Sequence, residues 1–212
     1  MTVKLPDHIK TPEGQSEFRI KEKGSVFISI TKNIEIEKEA AEFLNSLKKK
    51  YYDATHHCYS YKLANGSIKY SDDGEPNGTA GLRILNAQNH FEVTSLITVV
   101  VRYFGGTKLG VGPLGKAYYE AAFGDLSNCP ILNKILHHEI IVKYSFEQSK
   151  MVHHFISKHS LIIKETIFED QPQMICLLPS VQKEKFFEDI STLKTNLIVV
   201  QTDKSAYIIK SN

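Results

Sequence analysis

A chain of 212 residues has room for one large domain or two small ones, each with its own core. Hydrophobic residues make up 42% and charged residues 24%, the balance of an ordinary globular protein. The 26 basic and 24 acidic residues leave a formal net charge of +2, which excludes binding to nucleic acid through wholesale positive charge, so any basic surface is local. In chain order, the N-terminal MTVKLPDHIK has no apolar core of signal-peptide length. FRIKEKGSVFISI (Phe18 to Ile30) reads as extended, and IEIEKEAAEFLNSLKKKY sets Ala40, Phe43, Leu44 and Leu47 at helical spacing. THHCYSYKLA is aromatic-rich and extended, and TAGLRILNAQ is a short helix. TSLITVVVRYF is a near-continuous β-branched run, the pattern of a strand buried on both faces, and its apolar core is far shorter than a membrane span. A glycine-rich loop and a helix from about Pro113 follow.

The stretch LSNCPILNKILHHE, punctuated by Pro130 and Asn133, predicts a division into domains 1–132 and 133–212. Beyond it come a strand (HEIIVKYSF), a helix (EQSKMVHHFISKH), two strands (LIIKETIFE and PQMICLLPS), a helix (VQKEKFFEDISTL) and a last strand (NLIVVQT). That βαββαβ order is the ferredoxin-like pattern, and the whole reads as an α+β chain of two domains. Three dispersed cysteines, Cys58, Cys129 and Cys176, without CxxC spacing, argue against a disulfide framework or a zinc ribbon. A reduced, cytoplasmic protein with no membrane partner is expected, with no metal or cofactor, and a monomer or weak dimer.

Three stretches carry candidate chemistry. SDDGEPNGTAG brings Asp72, Asp73 and Glu75 within four positions, off the spacing of a calcium-binding loop. Asp73-Gly74 and Pro76 favour a tight turn, and Thr79 is placed to cap the next helix with the acids near its positive end. The other reading is an acid–base role for the three carboxylates. ATHHCYSY puts His56 and Cys58 on one face of a strand and His57 on the other. The pair reads either as a nucleophile with its base or as a half-buried strand with an inert thiol. YFGGTKLGVGPLGKAY holds a literal GxGxxG at Gly110, Gly112 and Gly115 and a near P-loop ending at Lys116. Ala117 stands where the P-loop needs a hydroxyl, and the spacing from the preceding strand is wrong for a dinucleotide fold. Its physical content is an anion-friendly loop: Arg102, Lys108 and Lys116 with the backbone amides of Gly105, Gly106, Gly110 and Gly112. The alternative is a tight strand-to-helix connection that needs positive φ angles.

Taken together and in this order, KGSVFIS, ATHHCYSYKL, SDDGEPNGTAG and VVVRYFGGTKLGVGPLGKAY resemble the IMPACT family, in its bacterial YigZ branch, over roughly residues 18 to 125. The resemblance implies an N-terminal two-layer α/β sandwich like a ribosomal-protein domain, a C-terminal ferredoxin-like domain, and a link to translational regulation. The family's loop often reads G-G-L-V-R-A-Y, whereas here Gly112-Pro113-Leu114-Gly115-Lys116-Ala117-Tyr118 keeps a charge but loses the arginine fork. The extra N-terminal domain of eukaryotic members is not expected in this chain, and their kinase-directed mechanism is not expected to carry over.

The leading expectation is a protein that binds RNA or ribosomes through the basic glycine-rich loop. Tyr59, Tyr61, Tyr70, Tyr103 and Phe104 would stack bases where exposed and pack in the core otherwise. A second expectation is a small-molecule hydrolase or transferase using His56, Cys58, Asp72, Asp73 and Glu75, and a third is a protein–protein adaptor. Geometry separates the first two: the enzyme reading needs His56 and the acids to converge on one pocket with the glycine loop.

Overall fold

The computed structural model describes residues 4–193 and 197–210 and divides into two compact units, Met1–Asn133 and Lys134–Asn212. Met1 to Val3 of the N-terminal decapeptide, and Asn196 at the head of the last predicted strand, lie outside the described residues.

The first unit runs β1 (His8–Pro12), β2 (Gln15–Glu22), β3 (Ser25–Asn33), α1 (Glu37–Lys50), β4 (His56–Lys62), β5 (Ile68–Ser71), α2 (Gly81–His90), β6 (Leu96–Tyr103) and α3 (Val111–Asn128). Its sheet has the order β2-β3-β6-β4-β5 and is antiparallel throughout. The β-branched run read as doubly buried is the central strand β6, buried from Leu96 to Arg102. Its alternating side chains feed two cores. Ile97, Val99 and Val101 meet Ala40, Phe43 and Leu47 of α1, while Leu96 and Val100 meet Ile84 and Ala87 of α2 and Tyr118, Ala121 and Ala122 of α3. An apolar strand of this kind needs cover on both sides, and helices pack on both faces of the sheet.

Two short strands, β1 and β5, go beyond the elements read from the sequence. β1 is anchored through Thr11 Oγ1, which donates to Ser95 O at 3.1 Å, and β5 is an edge strand with Ile68, Lys69 and Tyr70 exposed. The stretch read as punctuation is also partly strand, because Pro130 stands directly before β7 (Ile131–Lys143) and Asn133 lies within it.

The second unit continues with α4 (Ser149–Lys158), β8 (Ile162–Ile167), β9 (Gln173–Pro179), α5 (Lys183–Thr192) and β10 (Ile198–Ile209). β10 pairs β7, β7 pairs β9 and β9 pairs β8, all antiparallel. The order β10-β7-β9-β8 is that of the ferredoxin-like βαββαβ pattern. Ile140, Val142, Cys176 and Leu178 from the sheet pack with Val152 and Ile156 of α4 and Phe186 of α5. Cys58, Cys129 and Cys176 are free and buried. Among the described residues no helix is long and apolar enough to cross a membrane.

Candidate functional site

The acidic turn folds back onto β4. Asp73 and Gly74 take positive φ angles of 44° and 89°, which turn the chain so that its polar groups face the strand. His56 Nδ1 lies 2.7 Å from Asp73 O, the His57 N–H donates to Asp73 Oδ2 at 2.6 Å, and the Cys58 thiol donates to Asp72 O at 3.0 Å. The Asp72 carboxylate accepts three backbone N–H bonds, from Gly78 at 2.9 Å, Ala80 at 2.9 Å and Gly81 at 2.8 Å. It therefore supplies the acceptor at the start of α2. This corrects the expected cap: Thr79 Oγ1 donates to Pro76 O at 2.6 Å and makes no cap bond.

Glu75 is the turn's buried member. Its side chain is 5% exposed and that of Arg102, on β6, is 6% exposed; Arg102 Nη1 donates to Glu75 Oε1 at 2.5 Å. Tyr118 Oη, from α3, donates to the same oxygen at 2.8 Å, and Cys58 Sγ lies 3.3 Å from Tyr118 Oη. His56 Nε2 stands 3.8 Å from Glu75 Oε2. Arg102 packs between rings, its Cζ 5.4 Å from the Phe27 centroid and 5.6 Å from that of Phe104. Burial pushes the Cys58 thiol and the Tyr118 phenol well above their ordinary ranges, so both stay protonated at neutral pH. A thiol so held is a hydrogen-bond donor and not a nucleophile. His57 faces the other side of the sheet, and burial lowers its pKa.

The five candidates for catalysis do converge, and the shared face of His56 and Cys58 follows the strand's alternation. Their donors and acceptors, however, hold the protein to itself. Asp72 caps α2, Asp73 ties the turn to β4, and Glu75 neutralises Arg102. Tyr118 and Ser25 complete this network without having been singled out in the sequence. Tyr118 is 43 positions from Glu75, and the Ser25 hydroxyl lies 3.5 Å from Arg102 Nη2, so only the fold brings them together.

The glycine-rich segment separates into a buried and an open part. Arg102, expected among the phosphate contacts, is buried, with Nη1 bonded to Glu75 and Nη2 3.5 Å from Ser25 Oγ. Gly105 is also used internally: its N–H donates to Ser25 Oγ at 3.1 Å, and its backbone crosses that of Gly24 so closely that a Cβ on Gly105 would lie 1.9 Å from Gly24 C. From Gly106 the chain is exposed, apart from Leu109, until Leu114. Gly110, at φ 81°, is the N-cap of α3, whose first turn holds no acid. Lys108 and Lys116 are exposed, the latter 3.5 Å from Glu120. Of the aromatic candidates Tyr61 is buried, Tyr59 and Tyr103 are half-buried, and Tyr70 and Phe104 are exposed.

Residues 23–125 match the model of the Impact N-terminal domain. Over 206 residues the chain is 27% identical to the IMPACT family member YvyE of Bacillus subtilis (strain 168), covering 92% of this chain and 95% of that one. With a Thermus thermophilus protein, an IMPACT family member in the pol 5'region, identity is 32% over 143 residues, or 68% of this chain and 78% of that one. A crystal structure of a hypothetical protein has the same fold, with a TM-score of 0.68 at 24% identity, covering 94% of this chain and all of that one.

Proposed function

Since this chain belongs to the IMPACT family, we propose that it is a regulatory protein of translation that meets RNA or the ribosome through its open basic segment from Gly106 to Lys116. One observation carries this reading. Lys108, Lys116 and the exposed start of α3 stand free of the internal network that consumes Arg102, Gly105 and the carboxylates. Backbone amides at a helix start and two lysines suit phosphate, and they act locally in a chain whose net charge is only +2. The hydrolase or transferase reading loses support for the converse reason: its thiol is protonated and its three carboxylates have structural partners.

The test is co-sedimentation with ribosomes from a lysate across a salt series, comparing the wild type with the Lys108→Glu/Lys116→Glu variant. Association should weaken steeply with salt, and the variant should lose about two units of the log–log salt slope and at least tenfold in binding at moderate salt. Absence of association at low salt, or association indifferent to salt, would overturn the reading.

A further inference from the structure

Three depressions on the first unit differ in charge. One, of about 580 Å³ beside α1, is lined by Glu35, Glu39 and Glu42 against Lys32 alone. A second, of about 310 Å³, sets Lys23 and Lys116 against Glu22 and Glu120. The third, of about 340 Å³, is lined by Arg83, Asn86, Gly112, Gly115, Lys116 and Tyr119, with no carboxylate in its wall; it shares Lys116, which lies 3.5 Å from Glu120, with the second. Of the three, only this one favours an anion.

Its wall is two helix stripes facing each other. Gly112, Gly115, Lys116 and Tyr119 recur at i, i+3, i+4 and i+7 along α3, and Arg83 and Asn86 at i and i+3 along α2. Gly115 shapes the groove, because a Cβ there would stand 3.1 Å from Arg83 Nε. The bare backbone lets the Arg83 side chain lie across α3. Among the described residues no acid pairs with Arg83. Tyr119 is half-buried and its ring stacks on Phe123 at 5.7 Å between centroids, which steadies it as a platform.

From this arrangement we infer that the α2–α3 groove is a subsite for one nucleotide of single-stranded RNA. Arg83 and Lys116 take the phosphate, Tyr119 stacks the base, and the Asn86 amide offers both a donor and an acceptor to the base edge or the 2′-hydroxyl. The volume admits a nucleotide, and a platform of this kind needs a base out of its stack. The assignment rests on the preceding reading for the polymer but not for the nucleotide unit.

The experiment titrates uridine 5′-monophosphate into the full chain while amide resonances are followed by NMR. Saturable shifts are expected at the Gly112 and Gly115 amides and the Asn86 side chain. Arg83→Gln should weaken binding about tenfold, and Tyr119→Leu about 5- to 150-fold, the range of one lost base stack. Gly115→Val, which displaces Arg83 without altering charge, should weaken it comparably, while Lys49→Glu on α1 should leave it within about twofold. Amides unmoved by the nucleotide, or variants that bind as the wild type does, overturn the subsite. Inorganic phosphate binding as tightly as the nucleotide overturns the role of the base. Ribosome co-sedimentation of the same variants separates the two readings. Nucleotide binding without ribosome association overturns only the preceding one, and charge-dependent association that ignores Arg83 and Tyr119 overturns only this one.

Discussion

Glu75 carries a negative charge where water barely reaches it, and that charge is tolerated because Arg102 lies against it. Removing one member of such a pair strands the other: Glu75→Gln should cost about 3–5 kcal/mol, read from urea unfolding at neutral pH. A Glu75→Leu/Arg102→Met variant should recover much of the loss, because no buried charge then remains. Asp125 on α3 shows the opposite arrangement. It is fully buried, Ser29 Oγ donates to its Oδ2 at 3.0 Å, and burial raises its pKa above the ordinary carboxylate value. The folded state thus holds its proton more tightly than the unfolded chain, so this group's contribution is complete below about pH 4 and declines as pH rises toward the folded-state pKa. Asp125→Asn should match the wild type in acid and melt at a progressively higher temperature than it as pH rises above about 4 toward the folded-state pKa, by calorimetry. At this scale the sequence was partly legible. Strand alternation placed His56 with Cys58, but the partners of Glu75 stand 27 and 43 positions away, and no local pattern reports them.

The start of α2 shows how an element can be read correctly and its device misread. Period and turn chemistry located the helix, and the hydroxyl just before it looked like its cap. The acceptor is instead Asp72, eight positions before Ala80, because Asp73-Gly74 returns the chain onto β4 and leaves Asp72 under the helix. Asp72→Ala should cost about 2–4 kcal/mol, the loss of a cap plus orphaned N–H donors. Thr79→Val, which gives up only a bond to Pro76 O, should cost about 1 kcal/mol. Thermal melts of the two variants decide which residue holds the helix. β1 and β5 escaped the reading for another reason: at five and four residues, HIKTP and IKYS are too short to carry a pattern, and β5 leaves Ile68 and Tyr70 exposed. Each is a strand only because a neighbouring edge accepts its hydrogen bonds. Gly105 belongs to this scale too. Gly105→Ala forces the Cβ into Gly24, and a loss of about 4 kcal/mol or more is expected in the same melts.

Among the described residues the three hydrophobic cores have no side chain in common. The two faces of the first sheet are filled by one set of residues and the second unit by another. Phe186→Ala, at a side chain 1% exposed, should destabilise the second unit by about 3–5 kcal/mol. In native-state hydrogen exchange, Ile140 and Leu178 should lose protection while Val99 to Val101 keep theirs. Fold class was the most legible level, since the periods of 3.6 and 2 persist along whole elements, and the second helical layer follows from the doubly apolar β6. The central place of β6 has a consequence for synthesis. β3 leaves the ribosome with β2 already beside it, yet its other edge pairs with β6, which begins about 60 residues later. At translation speeds of about 5–20 residues per second, Ile28, Ile30 and their neighbours wait roughly 3–12 s for that partner. A chain of this design is most vulnerable to aggregation as a nascent polypeptide, and its yield in a cell should depend on chaperone supply more than the stability of the finished protein would suggest.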